Sequence, residues 1–296
     1  MSSGTILVIG DLMIDVVVDM PGELVRGSDM PSRISSTFGG TAANVATWLA
    51  VCGTHVRVFG AVGNDAWGEQ MLRHLESFGI ESHVAQIQDL PTGAVVALCH
   101  PDGERSFLPD ARANSQLAAI NFPSETWQDV TFLYVSGYTL LNPSTRAWAV
   151  GVMNQARTRG ITVVLDPASS GPLSGISSAE IAQWLELTDL LIPNDQEFEA
   201  LQRLMGTQVS SGRLALKHGS HGVTVMQNGQ SLDIPAAPAQ VVDTIGAGDA
   251  FAAGILHGLN SGRTLEDSAR LAVQVAAAAV SIRGAQPEAS STLDIH

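Results

Sequence analysis

Short apolar, β-branched runs alternate along this chain with stretches whose apolar positions recur every three to four residues. The run at 5–10 (TILVIG) has strand length and no polar face, as a strand buried on both sides requires. Runs at 55–63, 131–137, 161–166, 189–194 and 213–219 repeat that character. Helical patterns fall at 41–53, 66–79, 144–159, 179–187 and 195–205, and glycines close the first two, at Gly53 and Gly79. Two more helices follow at 249–262 and 264–282. Thr264 and Asp267 there resemble a capping box with Asp in place of Glu. This alternation predicts an α/β fold, a central mostly parallel sheet with helices on both faces.

Two segments leave the rhythm. Residues 15–38 have strand-like ends around a loop, and 92–110 (TGAVVALCHPDGERSFLPD) reads as a hairpin turning at Asp102-Gly103. Neither carries a helical pattern. Both are expected to form a small β-sheet lid inserted into a single domain spanning 1–296. The sequence has no internal repeat, low-complexity tract or interdomain linker.

Composition narrows the partners. The formal net charge is −14, and Lys217 is the sole lysine. Such a field repels nucleic acid and anionic membranes, so neither is an expected partner. An anionic ligand must be held by local features. Two cysteines give no disulfide framework, the start lacks a signal-peptide pattern, and no apolar run is long enough to span a bilayer. A cytoplasmic protein is the expectation.

Four stretches carry candidate chemistry. In DTIGAGDAFAAG (243–254), Gly246, Ala247 and Gly248 precede a helical pattern beginning near Asp249. Unsatisfied amides at that helix start would attract an anion, and the small residues permit close approach. A glycine turn with an acid in the first helical turn explains the same letters. In TFGGTAANVA (37–46), Gly39 and Gly40 open a helix carrying Asn44, which suits a hydroxyl-rich ligand or is simply a surface residue. In VIGDLMID (8–15), a strand runs into Asp11 and Asp15, where α/β sheets bind ligands; solvated loop acids are the alternative. In IPNDQEFEAL (192–201), Asn194 and Glu197 share a helical face and suit water-bridged Mg²⁺, or close a capping box, or both. The segment 214–223 (LALKHGSHGV), with Lys217, Gly219 and Gly222, reads as strand, turn and strand. No Walker A, dinucleotide or nucleophile-elbow motif is present, and histidines and cysteines lack zinc spacing.

Taken in order, GD…D, GGTAANVA, the DGER hairpin, PNDQE, DTIGAGDAF and RGAQP resemble the ribokinase-like, or phosphofructokinase B, family of carbohydrate kinases over almost the whole chain. The resemblance implies ATP-dependent phosphoryl transfer to a primary hydroxyl of a sugar or nucleoside, with Mg²⁺. It implies that Asp249 is the base and that Gly246, Ala247 and Gly248 form the anion hole. Asn194 and Glu197 would serve Mg²⁺ and phosphate, and Asp11, Asp15, Gly39, Gly40 and Asn44 the sugar. Lys217, Gly219 and Gly222 would serve the nucleotide. Asp243, Ile245 and Ala285 match a region where some members bind K⁺ through carbonyls. A homodimer through the lid edge is a further expectation. Met13 stands where ribokinases proper carry Asn, and Thr41-Ala42 replaces their Lys-Gly, which argues against D-ribose. Arg105 and Arg112, in or near the lid, read either as contacts for an acidic substrate or as solvated residues. Phe107 is a candidate lid wall for a nucleoside base. A non-catalytic sugar-binding homologue is the alternative from another class.

Overall fold

The computed structural model describes residues 4–102, 105–206, 209, 212–291 and 293. The first half contains β1 (Thr5–Ile9), β2 (Met13–Asp19), β3 (Arg33–Gly39), α1 (Thr41–Val51), β4 (Val56–Gly63), α2 (Ala66–Ser77), β5 (Glu81–Ile87), β6 (Gly93–Cys99), β7 (Arg105–Asp110) and β8 (Val130–Ser136). Next come α3 (Tyr138–Leu141), α4 (Arg146–Thr158), β9 (Thr162–Asp166), α5 (Ser170–Leu173), α6 (Ser178–Glu186), β10 (Leu190–Leu191) and α7 (Asp195–Met205). The last part holds β11 (Arg213–Lys217), β12 (Val223–Gln227), β13 (Gln230–Ile234), α8 (Ala247–Asn260) and α9 (Leu265–Val280).

The main sheet runs β13-β12-β11-β10-β9-β8-β1-β4-β5. Its pairings from β11 through β5 are parallel; β12 and β13 add an antiparallel edge. Successive side chains of β1 point to opposite faces. Ile6 and Val8 enter the core beneath α1, α2, α8 and α9, while Leu7 and Ile9 enter the core beneath α4, α6 and α7. That two-sided burial is why the central strands read as continuous apolar runs.

Edge strands did not follow the pattern. The sequence reading missed β5 (ESHVAQI) and β13 (QSLDI), which are mostly exposed or half-buried and carry polar residues. The expected strand at 189–194 shortens to Leu190–Leu191, with one further bridge from Asn194 to Lys217. Pro193 between them has no N–H to give the ladder, though its carbonyl accepts from Lys217 N.

Residues 13–19, 33–39, 93–99 and 105–110 form a separate four-stranded sheet, ordered β3-β2-β6-β7. The expected turn at Asp102-Gly103 falls partly on Gly103 and Glu104, which lie outside the described residues. A 3₁₀ segment, Arg112–Ala119, follows β7 and ties the two sheets together. Its buried Asn114 accepts from Leu12 N at 3.0 Å and donates to Leu12 O at 2.9 Å, bracing the passage from β1 into β2.

Candidate active site

Between the small sheet and the carboxyl ends of the main strands lies a cavity of about 400 Å³. Its polar wall includes Asp11, Asp15, Asn44, Asn114 and Asp249. Its apolar wall includes Val95, Phe107, Leu117, Tyr138, Leu141 and Pro172.

Helices α1 and α8 begin at this cavity, each from a glycine at positive φ. Helices α2, α6, α7 and α9 are capped by the side chains of Asp65, Ser177, Asn194 and Thr264. Helices α1 and α8 start instead at Gly40 (φ 88°) and Gly246 (φ 76°), with no side-chain cap. A side chain at Gly40 would strike the Asp11 carbonyl at 2.5 Å, and one at Gly246 would strike Ala285 at 2.7 Å. Positive φ and close backbone approach both demand glycine. First-turn amides there lack a capping side chain and sit at the positive end of the helix dipole, a setting that attracts an anion, although Ala247 N already donates to Thr244 O at 3.4 Å.

Asp249 stands in the first turn of α8 and accepts from Asn44 Nδ2 at 2.8 Å. Burial pushes its carboxyl up to about 8; the bond from Asn44 opposes this, and the neighbouring Asp166 charge adds to it. Across the cavity, Asp15 is raised to about 7 by burial and then by the charge of Asp11. Asp15 Oδ1 is buried with no hydrogen-bond partner. Asp11 is likewise raised by burial, although Ser136 donates to its Oδ1 at 3.2 Å.

A second charged cluster adjoins the α8 start. Lys217 Nζ pairs with Asp166 Oδ2 at 2.7 Å, and a side chain at Gly248 would lie 3.4 Å from that nitrogen. Burial works against the Lys217 ammonium, but Asp166 and Glu197 more than offset it and hold its pKa above the ordinary lysine value. Asn194 and Glu197 form a reciprocal capping box: Glu197 Oε2 accepts from Asn194 N at 2.9 Å, and Asn194 Oδ1 accepts from Glu197 N at 2.9 Å. Glu197 Oε1 also accepts from Asn194 Nδ2 at 2.8 Å. Burial and the Asp166 charge push Glu197 up to about 7. Two buried carboxylates thus share one ammonium. That surplus negative charge fits a water-bridged divalent cation, and no group of three or more His, Cys, Asp or Glu side chains suited to direct ligation exists among the described residues.

The structure therefore gathers Asp11, Asp15, Gly40, Asn44, Gly246 and Asp249 around one cavity, together with Ile245. Gly39 ends β3 with its backbone against the Asp15 carboxyl. Lys217, Gly248, Asn194 and Glu197 belong to the adjoining charged cluster. Gly219 and Gly222 shape the turn between β11 and β12, where His218 N donates to Gly222 O at 2.8 Å. Asp243 does not offer a free carboxylate: it accepts from Arg105 Nη2 at 2.7 Å, Ile245 N at 3.0 Å and Gly284 N at 3.1 Å. Ala285 O accepts from Trp48 Nε1 at 2.9 Å. Arg105 fits neither expectation, being mostly buried on Asp243 and Thr244. Arg112, 38% exposed and paired with an exposed Asp110, fits the solvated one. The reading of the chain passed over Asp166, Asn114, Tyr138 and Gln286. Asp166 alone carried a usable signal, a carboxylate at the end of an apolar strand, the rule already applied to Asp11.

Comparison with known proteins agrees with this architecture. The family model described as pfkB family carbohydrate kinase matches residues 3–292. The uncharacterized sugar kinase YegV of Escherichia coli is 31% identical over 294 residues, 95% of this chain and 89% of that protein. The ATP-dependent ribose-1-phosphate kinase of Halopiger xanaduensis is 31% identical over 74% of this chain and 72% of its own. Among solved structures, the nucleoside kinase of Burkholderia thailandensis in complex with inosine superposes with a TM-score of 0.84 at 21% identity, covering 97% of this chain and 92% of that one. The chain belongs to the pfkB family of carbohydrate kinases, phosphotransferases that act on hydroxyl groups. No helix among the described residues is long and apolar enough to cross a membrane.

Proposed function

We propose that this protein transfers the γ-phosphoryl group of ATP to a primary hydroxyl of an uncharged sugar or nucleoside. One observation carries the reading: a single cavity is lined by Asp11, Asp15 and Asn44 on one side and by Asp249 and Gly246 on the other. Asp15 Oδ1, buried and unpartnered, is an acceptor ready for a substrate hydroxyl. With hydroxyls held there, the reacting oxygen lies against Asp249, which takes its proton as general base. The amides at the start of α8 receive the equatorial oxygens of the transferring group. Lys217 adds a positive charge beside Gly248. Mg²⁺, when bound, neutralises phosphate oxygens; Asn194 and Glu197 would hold it through water. A potassium ion held through the carbonyls of Asp243, Ile245 and Ala285 belongs to the same reading; the Ala285 oxygen accepts from Trp48 Nε1 and keeps a second lone pair. The small sheet acts as a lid that excludes water.

The charge of the cavity supports the uncharged acceptor. Its described lining contains Asp11, Asp15 and Asp249 and no Lys, Arg or His. A phosphate or carboxylate on the acceptor finds no cationic side chain there to pair with. The Halopiger relative is named for a phosphorylated acceptor; this cavity suits none. A nucleoside is the second reading, favoured by the apolar wall of Phe107, Tyr138, Leu141 and Pro172. A panel of D-fructose, D-ribose, inosine and adenosine against ribose 1-phosphate and a keto-sugar acid, read by ADP release, tests both. Turnover is expected with uncharged acceptors alone. Preference for the anions sinks the uncharged-acceptor reading, and tight binding without ADP release across the panel sinks the kinase reading.

The same reading includes a dimer through the lid. Its edge strands β3 and β7 expose Ile34, Phe107 and Leu108, an apolar edge open to strand pairing. Sedimentation is expected to give twice the 31.0 kDa chain mass, and Leu108→Lys to return it to the monomer value.

A further inference from the structure

One chain of hydrogen bonds ends on Asp249 and starts at the surface of α2. The His74 Nε2 and Gln286 Oε1 atoms lie 2.5 Å apart, and Gln286 Nε2 donates to Asn44 Oδ1 at 2.9 Å. Asn44 Nδ2 then donates to Asp249 Oδ2 at 2.8 Å. An amide oxygen only accepts, so His74 carries its hydrogen on Nε2. With Asp249 ionised, Asn44 must donate to it, which requires Gln286 to donate to Asn44 and His74 to donate to Gln286. Gln286 must turn its NH₂ to Asn44, and Asn44 its NH₂ to Asp249. Flipping either amide places oxygen against oxygen. The far end is firmly seated: the His74 ring stacks on Phe38 at 4.4 Å between centroids and meets Phe78 edge-on at 5.1 Å. The bond from Trp48 Nε1 to the Ala285 carbonyl anchors the backbone just before Gln286.

We propose that Gln286, seated by His74, is a positioning residue for phosphoryl transfer: it fixes the Asn44 amide so that an N–H, and never the carbonyl oxygen, faces Asp249. The proposal rests on Asp249 being the base. Its chemistry is simple. A released Asn44 can rotate and offer its oxygen to a protonated Asp249. That arrangement favours the neutral acid, which cannot take the proton of an incoming hydroxyl. Asp166 and Asp11 already favour the neutral form, and only Lys217 among the nearby charges opposes them. A donor locked toward Asp249 is the remaining influence that keeps the carboxylate available.

Gln286→Met removes the amide without adding charge, and Gln286→Glu forces Asn44 to turn. The enzyme is labelled with ¹³C at the aspartate carboxyls, and the resonance missing from Asp249→Asn identifies Asp249. Its titration midpoint is expected to rise in the uncharged Gln286→Met, by up to about one unit for the loss of one hydrogen bond to a charged acceptor, by less in His74→Phe, and by more in Gln286→Glu, where the added carboxylate charge contributes as well. The acidic limb of the kcat profile should move with it. An unmoved midpoint in Gln286→Met, with a melting temperature near wild type, overturns the proposal. The midpoint needs no turnover. A midpoint that moves while the kcat profile stays still overturns instead the assignment of Asp249 as base, so the two failures are told apart.

Discussion

Asp249→Asn is expected to lower kcat by roughly 10²–10⁴, the range for removing a general base, while the fold survives. Asn is nearly isosteric, and its amide oxygen can still accept from Asn44 Nδ2. The same substitution should stabilise the protein in mild alkali. Burial holds the Asp249 pKa near 8, far above the 3.8 of an unfolded chain. Between those values the folded state keeps a proton that the unfolded state has released. Stability from this group is therefore fully present below 3.8 and is lost as pH rises through 8. Asn does not titrate, so the variant escapes the loss. Thermal melting at pH 5 and pH 9 checks the sign: the variant should gain on wild type at pH 9 relative to pH 5. Stabilisation with lost turnover is what a carboxylate buried for chemistry gives. Wild-type turnover in the variant ends the proposed mechanism.

Much of this site was legible because glycine is. Gly40 and Gly246 stand at positive φ where backbones nearly touch, and no other residue type fits, so the letters announce the geometry. Asp11 was legible through its place after a buried strand. Asn194 and Glu197 were legible twice over: the capping box is real, and the same carboxyl sits in the charged cluster. What was not legible depends on residues far apart in the chain. Nothing local in RGAQP says that Gln286 meets Asn44, 242 positions away. Tyr138 and Leu141 join the cavity only because α3 follows β8 at the same end of the sheet as Asp11. Arg105 reads as a surface cation until folding lays β7 against the loop at Asp243. The edge strands β5 and β13 escaped because each pairs on one side and keeps polar residues. Periodicity reports burial, and these strands have little.

Lys217→Met is expected to cost both activity and stability, and a second substitution should separate the two. The side chains of Lys217 and Asp166 are 14% and 6% exposed, and their contact is 2.7 Å. Removing one partner of such a buried pair leaves an uncompensated charge, at a cost of about 3–5 kcal/mol, or roughly 10 °C in Tm for a chain of this size. Here the cost falls on a cluster already short of positive charge, since Asp166 and Glu197 share this single ammonium. Asp166→Asn combined with Lys217→Met removes the orphaned charge, so most of the lost stability should return. Turnover should not. A positive charge beside Gly248 faces the side of the α8 start where phosphoryl charge would develop, and its loss should lower kcat by roughly 10²–10³ in single and double variants alike. Melting curves and single-turnover rates on the three proteins decide the matter. If the double variant regains both stability and turnover, Lys217 serves only to balance Asp166. If it regains stability alone, the ammonium acts on the phosphates, and the chain's sole lysine is placed where the reaction's negative charge gathers.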